Sequence, residues 1–262
     1  MGSLKDYVDI KKLVITVIVV VFLLYCAISG NITGGNLLGG NGIPTREKIL
    51  ATYPMFEALN KIDPDKFESL YKELESIPQV WHKSEANKAE SNEAILKFIA
   101  SINVWFGSNI STLLNSSSDE AVNKYGSHLI KSLSILLKND PTGLQCFNTV
   151  YPGVIGELDV FKLKDDIKGI AYERNYLNSI ADSIARHDKI DRLPVEQIEE
   201  ALSIINDKLV EKYGDAYYIE DPQELAKQPS LVCRKTLDLL REVLALDPHL
   251  SAEILRYMNE PE

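Results

Sequence analysis

Apolar residues recur along most of the chain at the three- and four-residue spacing that gathers them on one face of an α-helix. Ile95, Phe98, Ile99, Ile102 and Phe106 form one such stripe, continued by Ile110 and Leu113. Val122, Tyr125, Leu129, Leu133 and Leu136 form the next, and Leu163, Ile167, Ile170, Leu177, Ile180 and Ile184 a third. A fourth runs through Val195, Ile198, Leu202, Ile205 and Leu209. Upstream, Phe67, Leu70, Tyr71, Leu74 and Ile77 predict a shorter helix. Downstream, Leu237, Leu240 and Leu244 predict another, followed by one carrying Leu250, Ile254 and Tyr257.

Start signals agree with these stripes. Asp63-Pro64, Asp221-Pro222 and Asp247-Pro248 each place a capping carboxylate before a proline at the first helical position. Glu224 makes the second of these resemble a capping box, and Ser117-Ser118-Asp119-Glu120 offers the serine version. The best strand candidate is "DAYYIED", residues 215 to 221, and it lacks a partner. The pattern therefore predicts an all-α body, with each stripe buried against others in one irregular multi-helix bundle. No repeat period marks a solenoid. The polar patch "HKSEANKAESNE", residues 82 to 93, reads either as a linker or as the capped start of a long helix.

The N-terminal region breaks the amphipathic pattern. Leu13 to Ile28 is 16 residues without a charge. As a helix it reaches about 24 Å, and counting through Ile32 brings it to about the 20 residues a bilayer core asks for. Lys5, Lys11 and Lys12 precede the run, and no basic residue comes after it until Arg46. The positive-inside bias then keeps residues 1–12 in the cytoplasm, makes 13–32 a single-pass transmembrane signal-anchor and exports the remainder of the chain. Ala27-Ile28-Ser29 has the small-x-small pattern of a cleavage site after Ser29, but the apolar core is longer than the usual h-region, which favours an uncleaved anchor. The bulky Tyr25 argues against lipidation at Cys26, and Asp6 against myristoylation at Gly2. Six of the fourteen glycines fall between Cys26 and Pro44. That stretch has no lysine, so it is not a P-loop. Residues 33–44 read as a Gly/Asn-rich tether. A short helical segment at 45–81 and a main bundle at 82–262 complete the expected organisation.

Charge narrows the partners. From Gly30 onward there are 25 basic and 36 acidic residues, with no basic stripe, which argues against nucleic acid. The expected contacts are the membrane through the N-terminal helix and another protein, a second copy of the chain included. With Cys26 in the apolar run, Cys146 and Cys233 are the only cysteines of the body, and export would pair them as a disulfide. Asn31, Asn109 and Asn115 head Asn-x-Ser/Thr tripeptides, which matter only in a eukaryotic secretory pathway.

Candidate chemistry is sparse. His82, His128, His187 and His249 form no i, i+4 ligand pair, and neither a metal nor an organic cofactor is expected. His128 reads as a helix-surface or boundary residue. Asp63-Pro64-Asp65 starts like a calcium loop, but Phe67 occupies the next ligand position. Trp81-His82, after Pro78, is placed either to anchor a partner or to pack at a helix end. One enzymatic pattern is present: Glu75-Ser76 in "KELESIPQ" resembles the glutamate-serine pair at a helix end in lytic transglycosylases. The resemblance covers two residues and lacks that family's downstream Gly-Leu-Met-Gln-type segment. General acid work by Glu75 would require an apolar enclosure. The functional expectation is a membrane-anchored exported scaffold or interaction module of an envelope complex. If bacterial, its body is periplasmic; the alternative is an envelope hydrolase using Glu75.

Overall fold

A computed structural model of the chain describes residues 46–52, 54–76, 88–151, 154–155, 168–219 and 221–260. The apolar run, the glycine-rich stretch and Trp81-His82 lie outside the described residues. Eleven α-helices and one 3-10 turn lie within them, and no strand does. Three short helices open the fold: α1 (Arg46–Thr52), α2 (Pro54–Ile62) and α3 (Pro64–Glu75). The long helices α4 (Lys88–Asn115) and α5 (Asp119–Asn139) come next, then the one-turn-plus α6 (Leu144–Val150). α7 (Lys168–Arg186) and α8 (Val195–Tyr213) lead through the 3-10 turn Gly214–Tyr218 and α9 (Pro222–Leu225) to α10 (Pro229–Leu244) and α11 (Pro248–Met258). Residues 88 to 93 of the polar patch begin α4, so that part of it is a helix start.

α5 is the hub. It packs against α7, α10, α11 and α6, while α2 lies along α7 and ties the N-terminal trio to the rest. The predicted stripe of α5 is buried in full: Val122, Tyr125, Leu129, Leu133 and Leu136 are all within 3% exposure. Ile198, Leu202, Ile205 and Leu209 of α8 are buried as well, whereas Val195 is 49% exposed because it opens the helix in the solvent. One contiguous core joins Met55 and Phe67 to Leu177, Leu240 and Leu255. At Gly126, where α5 meets α11, an added Cβ would lie 2.7 Å from the Leu255 side-chain terminus, so a larger residue there would require Leu255 to shift.

The three aspartate caps read from the sequence are formed, and at α5 the cap is Ser118, one residue past the Ser117 that a Ser-x-x-Glu box ending at Glu120 would use. Asp63, Asp221 and Asp247 each accept a hydrogen bond at 2.9 Å from the backbone N–H of Lys66, Gln223 and His249. Ser118 caps α5 by accepting from Ala121 N. The strand candidate is a correction: Gly214–Tyr218 is a 3-10 turn. Gly214, at φ +56°, turns the chain, and Lys235 reaches over from α10 to donate to the carbonyls of Ala216 and Tyr217. Its ammonium also lies 5.1 Å from the Tyr217 ring centroid. A lysine thus satisfies backbone groups for which a strand would have needed a neighbour.

Cys146 of α6 and Cys233 of α10 form a disulfide, with Cα atoms 5.8 Å apart and both side chains fully buried. Just before α6, Gly143 sits at φ +78°, and a Cβ there would lie 2.3 Å from Ser230 Cα. Only glycine fits that contact. The bridge spans 87 positions of sequence, and in the chain-entropy view closing a loop of that size stabilises the fold by about 4.6 kcal/mol. Urea unfolding with and without reductant should therefore differ by roughly that amount. Equal midpoints, or two thiols that alkylate in the native protein, would show the bridge absent.

Candidate functional site

The most concentrated polar chemistry lies where three helix ends meet. α4 ends at Asn115, α5 starts at Asp119, and α11 crosses behind the connecting turn. A helix C-terminus leaves its last carbonyls without intrahelical partners. Here Ser117 Oγ donates to Leu113 O at 2.6 Å, and Arg256 takes two more acceptors. Its Nε donates to Leu114 O at 3.1 Å and its Nη2 to Ser117 O at 2.6 Å. Arg256 Nη1 donates to Asp119 Oδ1 at 2.8 Å and to Glu253 Oε1 one turn back on α11. The guanidinium is fully buried, and so is Glu253.

The second oxygen of each carboxylate continues the network. Glu253 Oε2 accepts from Arg192 Nε at 2.8 Å and from Leu193 N at 3.1 Å. Arg192 also donates to Asn115 Oδ1 at 2.9 Å and to Glu260 Oε1 at 3.2 Å. Asp119 Oδ2 lies 2.7 Å from His249 Nδ1. With Nδ1 committed there, Nε2 is the ring nitrogen left to an adjoining cleft of about 460 Å³, lined by Ser118, Asp119, Glu120, Lys189, Asp191 and His249. Charges around the cleft pair locally, Lys124 with Glu120 at 2.6 Å and Lys189 with Asp191 at 3.0 Å. The Lys124 ammonium holds the Glu120 carboxyl below its ordinary range. Nearby, Arg186 and Ser183 do the same for Asp188. The arrangement can hold five chain segments together with charge-assisted hydrogen bonds. No group of three or more His, Cys, Asp or Glu side chains suited to a metal occurs among the described residues.

Against this cluster the residues singled out from sequence fall into three places. Cys146 and Cys233 meet as a structural bridge away from the cleft. Glu75 is an exposed residue in the last turn of α3, where Tyr71 donates to it; burial and that carboxylate raise the Tyr71 hydroxyl. Trp81 and His82 lie outside the described residues. Asp63 caps α3, which uses the carboxylate that a calcium loop would need. Asn115, one of the tripeptide asparagines, has its Oδ1 engaged by Arg192.

The histidines separate. His187 is exposed in a left-handed conformation at φ 52°, at the end of α7. His128 is half-buried on α5, stacked on Tyr176 of α7 with ring centroids 4.4 Å apart. Burial there, helped by the Lys131 charge, lowers its pKa to about 3. Tyr213, at the end of α8, is pushed up by burial and by its 2.6 Å bond to Asp238, whose other neighbours are Lys212 and Arg241.

The Arg256 node was not among the sequence candidates. Its signal is Glu253-x-x-Arg256 inside "PHLSAEILRYM", a charged pair at i, i+3 amid Ile254 and Leu255. The apolar residues Leu250 and Tyr257, expected to mark the inward face, are only half-buried, while Ser251, Glu253 and Arg256 are fully enclosed. α11 is surrounded on nearly all sides, so its polar residues bury too. The chain matches no known family, no curated protein and no solved structure.

Two measurements test these assignments. Arg256→Met removes the side-chain donor from the carbonyls of Ser117 and Leu114, the latter keeping only the Ser117 N–H at 3.2 Å, and weakens the compensation of the Glu253 charge, and should cost about 3 kcal/mol or more by chemical denaturation. Arg256→Met with Glu253→Gln should recover part of that loss; full additivity would show the two uncoupled. For His128 the folded pKa lies below the ordinary 6.5, so the folded state disfavours the proton. Its stabilising contribution is complete above about pH 6.5 and is lost as pH falls toward 3. Between pH 7.5 and 5 the wild type should lose about 2 kcal/mol from this group, and His128→Phe should flatten that part of the profile.

Proposed function

We propose that the chain is a membrane-anchored, exported helical module that acts without catalysis, as an interaction or scaffold element in an envelope complex. The observation that carries this reading is the buried Cys146–Cys233 bridge. A disulfide sealed inside a core forms and persists in oxidising compartments, and the uncharged run from Leu13 to Ile28 supplies the means of reaching one. The dense polar chemistry around Arg256 supports the non-catalytic half of the reading. Its donors and acceptors are spent on helix ends and on one another.

A reporter active only in an extracytoplasmic compartment, fused after Glu262, is expected to be active in cells, with the Cys146–Cys233 thiols protected from alkylation until reductant is added. An inactive reporter in cells that make the full-length fusion would overturn the topology. A cell-wall-degrading activity in the purified protein that disappears in Glu75→Gln would replace the scaffold role with a hydrolase.

A further inference from the structure

The two sulfurs of the Cys146–Cys233 bridge are not equivalent before the bridge forms. Closing it takes two electrons and two protons from a pair of thiols, and thiol–disulfide exchange does this in two displacements. A cysteine thiolate first attacks an oxidised disulfide: the S–S bond of the oxidant breaks, a mixed disulfide forms, and one thiolate leaves and takes up a proton. The other cysteine then attacks the mixed disulfide, which makes the internal bond and releases the second half of the oxidant as a thiol. In the folded chain both cysteines are fully buried, with Phe147 of α6 and Val232 of α10 buried next to them in sequence. α6 packs directly on α10. An oxidant therefore reaches either sulfur only while α6 stands away from α10, and local sequence decides which thiol it engages first.

Those local sequences differ. Cys233 is followed at once by Arg234 and Lys235, and no carboxylate lies between Gln228 and Leu237. Cys146 sits in a run with no charged residue between Asp140 and Glu157, with Leu144 and Phe147 near it. Adjacent cations favour a thiolate over a thiol and draw in an anionic disulfide, whereas apolar neighbours do neither. We propose that Cys233 is the entry thiol of this protein: an anionic, oxidised disulfide forms its mixed disulfide there while α6 is undocked, and Cys146 arrives with α6 to displace it. Cys146 and Cys233 are the only cysteines of the body, so oxidation alone completes the pairing and no reshuffling has to follow. The class of reaction that must act on this chain is dithiol oxidation by disulfide exchange. This rests on the bridge that also carries the export reading.

The test uses the full chain with Cys26→Ser, reduced and unfolded in urea and detergent at low salt. A short pulse of oxidised glutathione, quenched with acid and read by peptide mass, is expected to load Cys233 roughly three- to fivefold faster than Cys146. Arg234→Gln with Lys235→Gln should bring the two rates together, as should about 1 M salt. Both comparisons are made on the unfolded chain, so neither depends on a variant folding. The bridged native protein, given reduced glutathione, should exchange roughly a hundredfold more slowly than the same protein in urea. Equal loading of the two cysteines, a preference for Cys146, a bias that survives the changes at Arg234 and Lys235, or native exchange at the unfolded rate would each overturn the proposal. An inactive reporter after Glu262 would defeat the export reading while leaving these rates as they stand.

Discussion

The arginine at position 256 is the joint on which the rest of the bundle turns. A guanidinium taken fully out of water is costly unless its donors are met, and here one side chain donates to the end of α4, to the turn after it, to the start of α5 and to its own helix. Each carboxylate it touches is also held from the other side, Glu253 by the 192–193 segment and Asp119 by His249. Helix ends are where a bundle has unsatisfied backbone groups, and here one planar donor serves two carbonyls at the end of α4 while pairing with carboxylates on α5 and α11. The node also couples segments far apart in sequence, since Leu114 and Arg256 are 142 positions apart. Local opening at any one segment exposes the charge to the others, which favours unfolding as one cooperative unit.

Two further constraints act at other ends of the same hub. Gly126 lets α5 and α11 come close enough for Leu255 and Leu244 to fill the space a side chain would occupy. At the far end of α5 the chain turns through Asp140, whose carboxylate accepts from Thr142 and from the backbone N–H of Gln145, and so orders the entry to α6. Packing, polar satisfaction and a covalent bridge thus secure different faces of one helix.

The all-helical character was legible because the α5 and α8 stripes keep strict helical spacing over four or more turns, and because aspartate or serine caps announce several starts. Spacing said less where burial was complete. Leu250, Ile254 and Tyr257 located α11, but the helix is enclosed nearly all round, so their spacing did not mark its buried polar residues and Glu253 and Arg256 were not singled out. "DAYYIED" failed for a different reason: tyrosine and isoleucine favour extended backbone locally, but the partner of that segment is Lys235, a side chain on another helix. The Cys146–Cys233 pairing could be read by counting, since Cys26 falls in the apolar run. Asp119 was seen only as part of a helix-start signal; its bonds to Arg256 and His249 join residues more than 125 positions away, beyond the reach of any local pattern.

The tight turn at Gly143 bears on the order in which this protein matures. Gly143 meets the backbone of Ser230, and three residues further along each stretch of chain stand Cys146 and Cys233. The two spacings are equal, so the glycine contact brings the sulfur atoms into register one helical turn on. Docking of α6 on α10 through that contact would therefore bring the two thiols together, in the manner of rivet holes aligned before the rivet is driven.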